Sequence, residues 1–169
     1  MQRPGIRAKF VRDLLLLRFM VRLIFLFKIR RFYFMRDPVR ELDTWTRDEL
    51  DYRREAANCK LLYENSLLTP SESVPNVYWD FTTSRVLTMD FLEGWSVADY
   101  LRMLESGDQA RLDELKANGF VPAIFSANVI SNFLSDAFRF GVFHADLHPA
   151  NLLILKDNQV GYVDFGIVA

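Results

Sequence analysis

The chain has 169 residues, of which half are hydrophobic and a quarter are charged, so it predicts a folded domain with a sizeable core and excludes a disordered chain. Cys59 is the only cysteine, which excludes an intrachain disulfide. The net charge is −1, but residues 1–40 carry eleven Lys or Arg and two Asp, whereas the remainder carries ten Lys or Arg and twenty acidic residues. This basic arm on an acidic body predicts a partner for the arm, such as anionic lipid or the body itself.

The first predicted element is a helix over residues 8–35. Apolar side chains cover nearly all of its faces, so it either packs among other helices or lies at a membrane interface, and we favour packing. Its most apolar run, residues 14–29, is interrupted by Arg18, Arg22 and Lys28, so it does not predict a membrane-spanning segment.

The middle of the chain predicts a second helix and a pair of strands. Asp37-Pro38 is a typical helix start, and the helix is expected to run to about residue 65. LLTPSESVP, residues 67–75, reads as a loop. NVYWDF (76–81) and SRVLTMDF (84–91) then predict two strands around a turn, and EGWS (93–96) predicts a bend.

The second half of the chain predicts helices followed by a hairpin. Residues 97–104 and 109–117 form short helices, the second stopped by Asn118-Gly119, and PAIFSANVISNFLSDAFRFG (122–141) forms a long buried helix closed by Gly141. LLIL (152–155) and VGYVDF (160–165) pair around KDNQ. Because helices and strands are segregated along the chain, the fold class is α+β.

A polar loop precedes this hairpin and carries the candidate chemistry. Asp146 and Asn151 are five residues apart, and the hairpin returns the chain so that Asp164 faces the loop that holds Asn151. Asn151 and Asp164 then supply hard oxygen ligands for magnesium, which takes few protein ligands and keeps waters or phosphate oxygens. Asp146 is placed to accept a proton from an incoming hydroxyl or water.

The motif His-x-Asp-x4-Asn, followed by Asp-Phe-Gly thirteen residues after the Asn, resembles the catalytic and magnesium loops of the protein-kinase fold. The sequence HADLHPAN (144–151) is similar to the corresponding loop of the UbiB/ADCK-type family of atypical kinase-like proteins. ELDYRREAAN (49–58) and RVLTMDFLEG (85–94) resemble two further motifs of that family, in the same order. The resemblance covers nearly the whole chain and implies ATP and magnesium as cofactors.

The resemblance also implies roles for single residues. Glu49 and Asp51 match the family's Glu-x-Asp motif, and Glu55 matches the glutamate of the kinase ion pair. Met89, Asp90 and Leu92 lie in the segment that matches the strand and hinge that hold the adenine. His148 takes the place of a phosphate-contacting Lys, whereas a structural role is expected for His144 and a core position for Cys59.

The chain departs from the family motif at Leu147, where a Pro is usual, and at Ala150, where a Gly is usual. In the family, QRPG follows a strand whose Lys pairs with the helix Glu, but here the chain opens MQRPG. We therefore expect an incomplete kinase-like fold, with residues 1–94 as the N-lobe remnant and 95–169 as the start of the C-lobe. Without that Lys and the Ala-rich loop over the nucleotide, the chain alone is expected to hydrolyse ATP negligibly.

Three functions remain open from the sequence. The first is part of a UbiB-like atypical kinase or ATPase that supports ubiquinone or isoprenoid-lipid biosynthesis, with lipid, quinone precursors or other lipid-biosynthesis proteins as partners and no nucleic acid. The second is a small-molecule phosphotransferase of the aminoglycoside or choline kinase type. The third is an inactive membrane- or partner-binding fragment. The family implies association with the cytoplasmic side of a bacterial membrane, or a mitochondrial or plastid location.

Overall fold

The computed structural model describes residues 51–169 and, before them, residues 12–13, 15–17 and 19–21, which are helical. The elements from residue 51 onward are four α-helices and four short strands. The helices are α1 (Tyr52–Ser66), α2 (Val97–Ser106), α3 (Gln109–Ala117) and α4 (Pro122–Ser135), and the strands are β1 (Glu72–Ser73), β2 (Trp95–Ser96), β3 (Leu152–Ile154) and β4 (Val160–Tyr162).

Helix α1 begins later than the sequence predicted. Asp51 is its N-cap, with extended backbone (φ −112°) and a carboxylate that accepts a hydrogen bond from Arg53 N at 3.1 Å. The prediction of a continuous helix from residue 38 to 65 is therefore wrong at residue 51, because Asp51 has extended rather than helical backbone and caps the helix that follows. Residues 37–50 lie outside the described part, as does most of the helix predicted over 8–35.

Helix α4 continues as a π-helical turn, Asp136–Phe140, and ends at Gly141 in the left-handed conformation (φ 72°). The predicted end is thus confirmed, because glycine adopts this backbone without a side-chain clash. The prediction that the helix is buried is wrong, since Ile130 is 60% and Phe138 is 86% exposed. Only one face of α4 packs on the sheet, and its Phe125 and Asn132 are buried there.

The four strands form one mixed sheet in the order β1-β4-β3-β2. Strands β3 and β4 form the predicted antiparallel hairpin, with Leu153 opposite Gly161. The predicted bend at Trp95-Ser96 is instead β2, which pairs antiparallel with β3. The predicted loop 67–75 contains β1, which pairs parallel with β4. The α+β prediction with a hairpin after the polar loop is confirmed.

The two strands predicted over 76–81 and 84–91 are reduced to a single antiparallel bridge between Val77 and Met89. A 3₁₀ turn, Trp79–Phe81, interrupts the first segment. The Thr82 hydroxyl donates to Tyr78 O at 2.9 Å and accepts from Thr88 N at 3.2 Å. These side-chain bonds satisfy backbone groups that a regular ladder would otherwise pair.

The core lies between the sheet, α1 and the inner face of α4. It contains a cluster of buried polar side chains, formed by Glu72, Asn132, Asp136 and Tyr162. Glu72 on β1 is 4% exposed and Asp136 after α4 is 3% exposed, and the two carboxyl groups are close enough to shift each other's pKa. Burial, together with the neighbouring Asp136, raises the pKa of Glu72 to about 8. Burial likewise raises the pKa of Asp136 to about 6, so at neutral pH the two groups share one proton.

Within the described residues, no helix has both the length and the apolar character needed to cross a bilayer.

Candidate functional site

The polar loop is held at its beginning by the segment that follows Asp-Phe-Gly. His144 forms an antiparallel bridge with Val168, and Ala145 N donates to Ile167 O at 3.1 Å. The His144 side chain is 2% exposed, and its ring centroid lies 5.8 Å from that of Tyr162 and 5.7 Å from that of Phe165. Its Nδ1 accepts from Asp146 N at 3.2 Å, an arrangement in keeping with the structural role predicted for His144.

Asp146 and Asn151 contact each other across the loop. Asn151 Nδ2 donates to Asp146 Oδ2 at 3.0 Å and to Asp146 O at 3.1 Å. This leaves Asn151 Oδ1 without a donor among the described residues, so it can act as an oxygen ligand. Asp146 is half-buried, and the bond from Asn151 fixes the direction of its carboxylate.

Asp164 lies next to Asn151 at the open end of the hairpin. Asn151 immediately precedes β3, Val163 immediately follows β4, and Val163 N donates to Asn151 O at 3.0 Å. Asp164 is the next residue, exposed and in the left-handed conformation (φ 67°), which is uncommon outside glycine but which Asp and Asn adopt more readily than most residues. Its Oδ1 accepts from Gly166 N at 3.3 Å, which leaves Oδ2 directed to solvent or to a ligand.

The N-terminal end of α1 lies close to this loop. Burial, with the carboxylates of Glu55 and Asp164 nearby, raises the pKa of Tyr52. Two turns along the helix, Asn58 Nδ2 donates to Phe165 O at 2.8 Å. Glu55 is thus on the end of the helix that approaches Asp164, Asp51 caps that end, and Glu49 lies outside the described residues.

The segment matched to adenine binding is held by its own side chains. The Asp90 carboxylate accepts from Tyr78 OH at 2.6 Å and from Asn76 N at 3.1 Å, so it is committed to the local fold. This bond raises the pKa of the Tyr78 phenol. Met89 forms the bridge with Val77, whereas Leu92 makes no backbone hydrogen bond to other described residues and is available to a ligand.

His148 is exposed on the polar loop, and its Nδ1 accepts from Ala150 N at 3.2 Å. Its Nε2 is therefore the free ring nitrogen. Among the described residues, no three His, Cys, Asp or Glu side chains are grouped as a metal site. The predicted ligand pair of one Asp and one Asn leaves the other positions to phosphate and water, as is usual for magnesium.

A cleft of about 490 Å³ lies elsewhere, between β2, α3 and the turn of the hairpin. Its described lining includes Glu93, Trp95, Glu114, Phe120 and Lys156, and none of the predicted site residues. The candidate site therefore does not lie in this cleft.

Sequence reasoning missed two features around the site. It gave no partner for Asn58, because the bond to Phe165 joins residues 107 positions apart. It also missed the Glu72–Asp136 pair. The only signal was an acidic residue, Asp136, inside the helix that the sequence predicted to be buried.

The comparisons with known proteins identify the family of the chain. The ABC1 atypical kinase-like domain matches residues 1–169, and the chain belongs to that family. It is 32% identical over 169 residues to the chloroplastic protein ACTIVITY OF BC1 COMPLEX KINASE 1 of Arabidopsis thaliana, covering 99% of this chain and 23% of that protein. It is 33% identical over 172 residues to the probable protein kinase UbiB of Azotobacter vinelandii, covering 98% of this chain and 30% of that protein.

A solved structure shares the fold. The Rv3197 protein of Mycobacterium tuberculosis, determined as a complex with erythromycin, matches with a TM-score of 0.71 and 28% identity, over 100% of this chain and 39% of that one. The chain thus spans about a quarter to a third of the length of the two curated relatives named above. The resemblance to the UbiB/ADCK-type family is confirmed.

Proposed function

We propose that this chain is the part of a UbiB-like atypical kinase or ATPase that holds magnesium-ATP on its polar loop and hairpin. The observation that carries the proposal is the open end of the hairpin. There Asn151 and Asp164 are brought together by the Val163–Asn151 hydrogen bond, and Asn151 is bonded to Asp146. A neutral amide oxygen and an exposed carboxylate oxygen fit magnesium, because both are hard ligands.

Each group of the loop has a separate role in this proposal. Asn151 Oδ1 and the Asp164 carboxylate bind magnesium, which supplies charge neutralisation at the phosphates. Asp146 orients the attacking hydroxyl or water, and its own orientation is fixed by the Asn151 amide. His148 Nδ1 accepts from Ala150 N, so the ring carries its proton on Nε2 and donates from there to a phosphate oxygen.

The nucleotide base is placed against the backbone of the segment from Met89 to Leu92. The Asp90 carboxylate does not contact it, because that group is bonded to Tyr78 and Asn76. Asp51 and Glu55 reshape the phosphate end of the site from the N-terminal end of helix α1, and the family motif assigns Glu49 to the same role. Membership of the ABC1 family favours this reading over a phosphotransferase of the aminoglycoside or choline kinase type.

The proposed biological role is support of ubiquinone or other isoprenoid-lipid synthesis at a membrane. It rests on the relative named as a probable UbiB kinase and on the chloroplastic relative. Deletion of the gene that encodes this chain is expected to lower the cellular content of isoprenoid quinone, measured by mass spectrometry of lipid extracts. An unchanged quinone content would remove this part of the proposal and leave nucleotide binding to be judged separately.

The test of nucleotide binding is a substitution of Asp164 with a matched control. Asp164→Asn removes the charge but keeps a side chain that tolerates the left-handed backbone. We expect it to weaken magnesium-ATP binding by at least about tenfold, because a charged metal ligand is lost. Binding is measured by isothermal titration calorimetry of the purified chain with and without magnesium.

Asp157→Asn is the control, because Asp157 is also exposed and left-handed (φ 55°) but lies at the other end of the hairpin. It is expected to bind magnesium-ATP like the original chain. Equal loss in both variants, or no magnesium-dependent binding by the original chain, would refute the proposed function.

A further inference from the structure

The bond between Asn58 and Phe165 links helix α1 to the magnesium loop through one peptide plane. Asn58 Nδ2 donates to Phe165 O at 2.8 Å, and this carbonyl belongs to the peptide group that joins Phe165 to Gly166. The N–H of the same peptide group, on Gly166, donates to Asp164 Oδ1 at 3.3 Å. The Asn58 amide and the Asp164 carboxylate therefore hold opposite edges of one rigid plane.

The surroundings restrict this plane further. The Phe165 side chain is fully buried and its ring lies against His144 at 5.7 Å, so the residue is anchored on its side-chain side. The plane can still rotate about the bonds that flank it, and such a rotation would break both hydrogen bonds together. The orientation of the exposed Asp164 carboxylate thus depends on the bond made by Asn58, although Asn58 lies on a separate element.

We propose that Asn58 is a positioning residue for the metal ligand Asp164, so that the placement of helix α1 sets the metal affinity of the loop. This rests on the proposed function, in which Asp164 binds magnesium. A shift of α1 away from the loop would release the Phe165–Gly166 peptide and allow the Asp164 carboxylate to turn. Helix α1 and the metal site are then coupled without any direct contact between Asn58 and the ion.

The experiment compares two asparagines that make the same kind of bond. Asn128 on α4 donates from Nδ2 to Asn158 O at 3.0 Å, also from a part-buried side chain to a distant carbonyl. Asn58→Ala and Asn128→Ala each remove one such bond, and only the first is linked to Asp164. The probe is the Mn²⁺-ATP complex, with its binding to the chain measured by the enhancement of water-proton relaxation, and thermal unfolding is recorded for each variant.

We expect Asn58→Ala to weaken Mn²⁺ binding about tenfold, as is typical when a residue that orients a metal ligand is lost. ATP binding measured without metal is expected to stay unchanged, which a general loss of structure would not allow. Asn128→Ala is expected to bind Mn²⁺ like the original chain even where it lowers the melting temperature. Asn58→Leu, which keeps the volume without the donor, replaces Asn58→Ala if that variant does not fold.

Unchanged Mn²⁺ affinity in Asn58→Ala would overturn the inference and leave the proposed function standing. The same would hold if both asparagine variants lost affinity in proportion to their melting temperatures, since the effect would then be one of stability. If the original chain binds no Mn²⁺ with ATP, the proposed function fails and the inference fails with it.

Discussion

Raising the pH from 5 to 8 is expected to destabilise the fold through the buried pair Glu72–Asp136. The folded state raises the pKa of Glu72 from 4.5 to about 8, chiefly by burial. As the pH rises, the Glu72 carboxyl therefore loses its proton at a lower pH in the unfolded chain than in the folded chain. The stabilisation that Glu72 contributes is fully present below about pH 4.5, falls as the pH rises toward 8 and then levels off.

The size of the effect follows from the shift in pKa. One pKa unit corresponds to about 1.4 kcal/mol, so the full shift of Glu72 sets a ceiling of about 5 kcal/mol on the loss of stability. We expect roughly half of this value, because a buried carboxyl pair relaxes when it ionises. Asp136 ionises near 6 and contributes to the lower part of the same window. Tyr162 does not titrate there, since burial raises its pKa further above the ordinary value for a phenol.

The assay is urea unfolding followed by tryptophan fluorescence at several pH values between 5 and 9. Glu72→Gln is neutral at every pH and keeps a donor for the Asp136 carboxylate, so its stability is expected to depend less on pH and to exceed that of the original chain above pH 8. Glu64→Gln is the control, because Glu64 is an exposed partner of Lys60 at 3.8 Å and its loss changes stability by less than about 1 kcal/mol. The reasoning is refuted if the original chain is equally stable at pH 5 and 8, or if Glu72→Gln keeps the same slope.

Two further predictions concern packing and the thiol. Gly94→Ala would place a Cβ 2.6 Å from Ile154 O and 2.7 Å from Leu155 Cδ2, so it is expected to cost about 2 kcal/mol, measured by urea unfolding. A cost below about 0.5 kcal/mol, which is typical of surface substitutions, would contradict the close approach. Cys59 is fully buried, its thiol donates to Pro75 O at 3.2 Å, and burial raises its pKa to about 12. The thiol is therefore expected not to react with a disulfide reagent at pH 8 until urea unfolds the chain. Rapid labelling of the native chain would disprove this.

The sequence predicted the elements that depend on local signals. Ser96 caps helix α2 through a bond to Asp99 N at 3.0 Å, and Gly107 ends it in the left-handed conformation. The turn KDNQ closes the hairpin with Asp157 and Asn158 at positive φ, a backbone that Asp and Asn tolerate. Caps and turns of this kind depend only on these residues and their near neighbours in the sequence, so the residue types and their positions are enough to predict where a helix or a hairpin turn ends.

The elements that the sequence did not predict depend on distant partners. Strand β1 is only Glu72–Ser73, and it exists because β4, nearly ninety residues later, offers a parallel edge. The strands expected over 76–91 have a suitable composition, but Thr82 bonds to nearby backbone instead. At the site, the sequence motifs predicted the candidate residues, whereas the hydrogen bond between Asn58 and Phe165 was visible only in the structure.

The main-chain pairing of the polar loop has a thermodynamic consequence. Phe143 and Ala169 exchange backbone hydrogen bonds at 2.9 and 3.1 Å, and the hairpin fixes the other end of the loop at Asn151. The conformational entropy of the loop is therefore lost when the chain folds, not when an ion or nucleotide arrives. An incoming ligand would meet a stiff scaffold, and its affinity would depend on the fit of the groups already in place.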